Sequence, residues 1–240
     1  MNFKKYFWIP FLTLFLVSCN TVNQLAGQMG LGTPTDAEIN SGLKQALELG
    51  TGYASERLAQ KDGYLGNQLI KITFPEEAKK IENTLRSIGL GSLCDQVITS
   101  VNRAAEDAAI EAKPIFVAAI KEMSIQDVKN ILLGQNDAAT VYFQQKTTSE
   151  LEKKFEPIIG QSLDKVGATK YWGDVINRYN QVPLVTKVNP DLSAYVTEKA
   201  IDGLFYEIAK EELKIRESVA ARSTLLLQKV FGYADSAKSE

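Results

Sequence analysis

Along most of the chain, apolar residues recur at the three- and four-residue spacing of a helix buried on one side. Thr35-Asp36-Ala37-Glu38 reads as a capping box, and Ile39, Leu43, Ala46, Leu47, Ala54 and Leu58 follow on one face. Gly42, Gly50 and Gly52 interrupt that face and suit it only where a neighbour passes close to the backbone. From Leu69 to Phe74 the period changes. Ile70, Ile72 and Phe74 alternate with Lys71 and Thr73 in the one strand-like run, which is short enough to pair with a single partner at most. Pro75 with Glu76 and Glu77 then opens a helix that carries Ile81, Leu85 and Ile88 and stops at Gly89.

A helix is expected from about Leu93 to Lys113. Its Ala104, Ala105, Ala108, Ala109 and Ala112 let neighbours approach closely, which places it in the centre of the molecule, and Pro114 breaks or kinks it before Ile115. Ser124-Ile125-Gln126-Asp127 starts another helix, ending near Gly134. The pattern then predicts a helix from Asp137 to Lys146 with Asp137 as its cap. A separate one follows, capped at Thr147 with Glu150 three residues on, running through Pro157 to about Gly167. Ala168 to Asn180 adds one more. After a loop marked by Pro183, Asn189 and Pro190, Asp191 to Arg216 and Val219 to Phe231 read as two long amphipathic helices, with Gly232 as the stop. The expected fold class is all-α: a single domain of roughly eight or nine helices over residues 35–232, at most one short strand-like segment near residues 69–74, and a frayed 233–240.

The start of the chain has a different character. Lys4 and Lys5 precede an apolar run from Tyr6 to Val17, and small Ser18 stands before Cys19. A spanning helix needs about 20 apolar residues, and this run is shorter, so it reads as a secretory signal over residues 1–18. Leu16-Val17-Ser18-Cys19 resembles the lipobox of bacterial lipoproteins, which implies diacylglyceryl transfer to the Cys19 thiol, cleavage, and palmitate on the new N-terminus. The membrane is then a partner through the lipid on Cys19. Asn20 stands where lipoproteins retained in the inner membrane resemble one another in carrying Asp, so, for a Gram-negative host, the expected location is the periplasmic face of the outer membrane. Residues 19–34, with Gly27, Gly30 and Gly32, read as the acylated cysteine and a flexible tether able to span at most about 50 Å.

Composition narrows the chemistry. The 240 residues are 45% hydrophobic and 23% charged with a mean hydropathy of -0.13, a globular profile rather than a disordered or multi-span one. Histidine is absent, which removes His metal ligands and the Ser-His and Cys-His nucleophile systems. The formal charge is -2, and it becomes more negative when Lys4 and Lys5 leave with the signal, so no nucleic-acid partner is indicated. No Gly-rich phosphate loop and no Cys or acidic cluster with metal-ligand spacing is present, so no cofactor and no metal is expected. Cys94 is the one cysteine left after lipidation and reads as a buried, inert thiol.

The candidate polar residues are few. Arg103 lies within reach of Glu106 at i+3 and Asp107 at i+4 on the alanine-rich helix. If that helix is central these charges must be paired, because an unpaired buried charge is very costly. Glu212 falls inside the apolar arc of Ile201, Leu204, Phe205, Ile208 and Ile215, with Arg216 four residues on to neutralise it. Asp202 beside Gly203, in mid-helix, suggests a hydrogen bond to a neighbouring helix or a close backbone approach. The aromatic residues Tyr171-Trp172, Tyr179 and Tyr142-Phe143 suit either the core or a groove for sugar or peptide.

Several stretches resemble a known family. They are Ser41-Gly42-Leu43-Lys44, Asn102-Arg103-Ala104-Ala105-Glu106, Asp137-Ala138-Ala139-Thr140 with Tyr142-Phe143, Lys199-Ala200-Ile201-Asp202-Gly203-Leu204-Phe205, Ala220-Ala221-Arg222-Ser223-Thr224, and Val230-Phe231-Gly232. In order along nearly the whole mature domain, they resemble bacterial lipoproteins with the domain of unknown function numbered 4197. The resemblance implies a mostly helical fold and carries no activity with it. The functional expectation is therefore a lipid-anchored periplasmic binding or scaffold domain of unknown ligand, with an envelope protein or the cell wall as partner. The alternatives are a carboxylate-dependent hydrolase or lytic enzyme on cell-wall glycan, or a lipid carrier. With no catalytic signature, the reading leans away from an enzyme.

Overall fold

Helix caps and glycine stops divide the chain into nine α-helices among the described residues. The computed structural model describes residues 32–181, 183–184 and 186–238. The helices are α1 Asp36–Leu58, α2 Lys79–Ser87, α3 Gly91–Ala109, α4 Ala112–Glu122, α5 Ile125–Leu133, α6 Ala138–Lys165, α7 Ala168–Tyr179, α8 Leu192–Glu217 and α9 Leu225–Lys238. Residues 1–18, read as a signal, Cys19, and nearly all of the stretch read as a tether lie outside the described residues. No described helix is long and apolar enough to cross a membrane.

The Thr35 capping box forms as expected, with the Thr35 hydroxyl accepting from Glu38 N–H and the Glu38 carboxylate accepting from Thr35 N–H. Ser124 and Asp127 repeat it at the start of α5. Gly89, at φ +86°, ends the α2 turn.

Four boundaries differ from the sequence pattern, each for a local reason. The break before Ile115 falls at Ile110–Glu111, and Pro114 sits in the first turn of α4, where an N–H would have no intrahelical acceptor and its absence costs nothing. Thr147 caps nothing: its hydroxyl donates to Phe143 O at 2.7 Å inside the continuous helix α6, which also absorbs Pro157. Val219–Ala221 is a 3-10 turn, and α9 begins at Leu225 and runs through Gly232 to Lys238, so residues 233–238 are helical. The strand-like run forms no strand; Lys71 to Pro75 is an unpaired, non-helical stretch.

Helix α6 packs on α3 and α8, and α1 packs on α8, α4 and α9, so α1, α3, α6 and α8 form the core. Ala104, Ala105, Ala108 and Ala109 are fully buried where α3 meets α6, as the alanine content predicts. Phe116 of α4 meets Phe143 of α6 and Phe205 of α8 edge-on, at ring separations of 5.2 and 6.2 Å.

Helices α1 and α8 run antiparallel. Gly50 faces Glu211, Arg57 reaches Glu207 at 3.8 Å, and Tyr64, beyond the end of α1, lies against Gly203. At 1.5 Å per residue, the Asp36 end of α1 and the Ala194–Tyr206 stretch of α8 are separated along the bundle by roughly 30–45 Å. The N-terminal junction and the first half of α8 thus lie toward opposite ends of the bundle.

Candidate functional site

The buried charges act as fasteners, and they fall into separate sets. Glu106 is 4% exposed, and one carboxylate oxygen accepts from Tyr64 N–H at 3.1 Å and Leu65 N–H at 3.2 Å. Its other oxygen pairs with Arg103, whose second guanidinium nitrogen donates to Asp62 at 2.6 Å. Asp62 has φ +69°, a backbone state that Asp tolerates better than most residues. The Tyr64 hydroxyl donates to Ala200 O at 2.7 Å, so the turn after α1 is tied to α3 and α8 together. Burial raises the pKa of that hydroxyl well above the usual tyrosine range and keeps it a donor.

Asp107 does not join this set. It accepts from Ser162 of α6 instead of Arg103. Asp202 is exposed and accepts from Lys199 on its own helix at 3.0 Å, and that bond is the main cause of the raised Lys199 pKa. The close approach suspected at this position belongs to Gly203, where an added Cβ would stand 2.7 Å from the Tyr64 ring.

Glu212 and Arg216 form a second, independent set. Glu212 accepts from Ala139 N–H and Thr140 N–H, both at 2.9 Å, and from the Thr140 hydroxyl at 2.8 Å. The cap expected from Asp137 is therefore supplied by Glu212, and Asp137 makes no side-chain cap bond. Arg216 donates to Glu212 at 2.7 Å and to the Ile131 and Leu132 carbonyls at the end of α5. The cavity beside the pair holds about 20 Å³, room for a single water.

Two open grooves lie at the other end of the bundle, and Phe74 and Trp172 form the partition between them. Both rings are 7% exposed and meet at 5.7 Å. The first groove has a volume of about 880 Å³ and runs between residues 69–77, the Ala194–Tyr206 face of α8 and residues 187–189. Its lining mixes Lys71, Lys187 and Lys199 with Glu76, Glu77, Glu198 and Asp202. The second, of about 740 Å³, is apolar and lies among α2, α3 and α7, with Leu93, Val166 and Val175 open to solvent. Cys94 lies in its wall, itself buried, and burial raises its thiol pKa.

The first groove is bordered by two non-helical runs built alike. Ile72 N–H donates to Asn102 Oδ1 at 2.9 Å while Asn102 Nδ2 donates to Ile72 O at 2.7 Å. Val188 makes the same two-point pair with Asn180, at 2.9 and 2.7 Å. In each run the next carbonyl is taken by an aromatic donor: Tyr195 OH to Thr73 O at 2.9 Å, and Trp172 Nε1 to Asn189 O at 3.2 Å. Burial pushes the Tyr195 pKa up to about 12, which holds the proton this bond needs.

Sequence reasoning selects Arg103, Glu106, Glu212 and Arg216 correctly as paired groups but passes over Asn102, Asn180, Tyr64 and Glu207. Glu207 is 1% exposed and held by Asn67 and Lys210. Among the described residues no cluster of three metal-ligating side chains occurs. No curated protein and no solved structure matches the chain. A family model described as "Protein of unknown function (DUF4197)" matches residues 33–232, and the chain belongs to that family.

Proposed function

We propose that the protein is a lipid-anchored binding domain of the bacterial envelope, held by Cys19 at the periplasmic face of the outer membrane, with an envelope protein or the cell wall as its partner. The observation that carries this reading is the placement of the two grooves. They open at the end of the bundle farthest from Asp36, where the tether joins, so a domain anchored through residues 19–34 presents them away from the lipid surface.

The buried carboxylates support a binding role over catalysis. Glu106, Glu207 and Glu212 have their oxygens filled by backbone amides, side-chain amides and cations, and none lines either open groove. A glycan hydrolase would have to draw on the groove carboxylates, of which Glu198 and Asp202 are both bound to Lys199. A lipid carrier would draw on the apolar groove, because the cavities beside Glu212 and beneath Tyr195 hold only about 20 and 10 Å³ and the shallow cleft of about 910 Å³ beside Gln135, Asn136 and Asp137 is partly polar.

Labelled palmitate and membrane fractionation test the anchor. Incorporation that Cys19→Ala abolishes, with the protein in the outer-membrane fraction, is the expected result; an unlabelled or inner-membrane protein contradicts it. Gentle purification and native mass spectrometry test the site. An extra mass that Trp172→Ala removes supports binding, whereas turnover of cell-wall glycan without retained ligand contradicts it.

A further inference from the structure

We infer that the 880 Å³ groove binds an extended polypeptide segment by main-chain pairing with the Lys71–Thr73 run, a reading that rests on the binding role proposed above. In an extended chain, successive residues turn their N–H and C=O groups to opposite sides. Ile72 spends both of its groups on Asn102, toward α3. Lys71 and Thr73 line the groove together with Ile72, and Tyr195, which lines it too, reaches the Thr73 backbone from α8.

The groups on that side are half used. Lys71 N–H donates to Asn67 O at 2.8 Å, and Thr73 O accepts from Tyr195. Lys71 C=O and Thr73 N–H have no partner among the described residues. An acceptor on one residue and a donor two residues later, on one side of an extended strand, are the pair that a neighbouring strand engages across a ladder.

The opposite border repeats the arrangement. Val188 is pinned by Asn180 and Asn189 O is taken by Trp172, which leaves Lys187 C=O and Asn189 N–H without a partner among the described residues. Two short edges, each fastened from behind by an asparagine amide, thus border one groove. Unpaired edges are normally covered or blocked because they template strand addition. Here they are kept open beside a groove large enough for a ligand, as in recognition by β-augmentation. Sugar hydroxyls need no such alternation of fixed donor and acceptor, so the pattern favours peptide over glycan.

The test uses the full chain in detergent, immobilised and panned with a phage-displayed library of random linear dodecapeptides. Selected peptides are resynthesised with single backbone N-methyl groups and measured against the protein and Thr73→Pro, which removes the groove-facing N–H at an edge position where proline is tolerated. The expected result is a loss of affinity at every second N-methylated residue, and at least about a tenfold weaker Kd for Thr73→Pro, the scale of one main-chain bond left unmade. If Thr73→Pro fails to fold, the alternation on the unaltered protein still decides. Peptides that bind without alternation overturn strand pairing but leave the binding role standing. Soluble cell-wall fragments that bind where no peptide is recovered do the same. A groove that takes neither probe overturns both readings.

Discussion

Glu212 and Arg216, one turn apart on α8, hold two other helices by opposite ends. The carboxylate closes on the first amides of α6 and the guanidinium on the last carbonyls of α5. Each charge thus sits at the helix end whose dipole favours it, and each neutralises the other at 2.7 Å. The pair turns the short α5–α6 connection into a fixed corner.

Removing one partner leaves the other buried and unpaired. Glu212→Gln is expected to lower unfolding free energy by about 3–5 kcal/mol, read by denaturant titration. Glu212→Gln combined with Arg216→Met is expected to lose less than the sum of the single changes. Additive losses would mean that the two groups act separately.

The helices and their caps are legible in local sequence because their causes are local. Thr35, Ser124 and Gly89 act within one turn of themselves. The partners of the polar groups are not local. Glu212 caps α6 from 72 residues away and so displaces Asp137, and Asn102 completes the Ile72 backbone from 30 residues away. The alternation of Ile70, Ile72 and Phe74 marks a long non-helical stretch near its place, but Ile70 closes a turn on Asn67 and Ile72 is paired by a side-chain amide, neither of which any periodicity encodes. Thr147 looks like a boundary, yet α6 continues through it because its buried Phe143, Leu151, Phe155 and Ile159 keep one apolar face in register.

Two glycines that look alike in sequence have opposite roles. Gly203→Ala puts a methyl group 2.7 Å from the fully buried Tyr64 ring and 3.2 Å from Ile70 Cβ, and is expected to cost about 1–3 kcal/mol. Gly232 lies inside α9 with nothing within 4 Å of an added Cβ, so Gly232→Ala is expected to stabilise by about 0.5–1 kcal/mol. Thermal unfolding of both variants checks the contrast.

Acid weakens the N-terminal junction. The Lys229 ammonium and the Thr35 capping bonds lower the pKa of Glu38 from 4.5 to about 2. A carboxylate lowered on folding contributes stability that is present in full above the unfolded value and lost as pH falls through the folded one. The contribution of Glu38 therefore disappears between about pH 4.5 and pH 2. Unfolding curves collected across that interval should flatten in Glu38→Gln; an unchanged acid slope would assign the loss to other carboxylates.

Asn102 is fully buried, and its amide is the partner of both Ile72 backbone groups. Asn102→Leu is expected to cost about 1–3 kcal/mol through those unpaired groups. Circular dichroism should show the helices intact while tryptophan fluorescence reports a loosened Phe74–Trp172 contact.

Residue-resolved amide hydrogen exchange on the ligand-free protein tests the open edges most directly. The structure predicts slow exchange at Ile72 and Val188, whose N–H groups are held by Asn102 and Asn180, and fast exchange at Thr73 and Asn189, one residue further along each run. Protection at Thr73 and Asn189 equal to that of Ile72 and Val188 would mean that the edges are already paired, and would contradict a groove built to take up a strand.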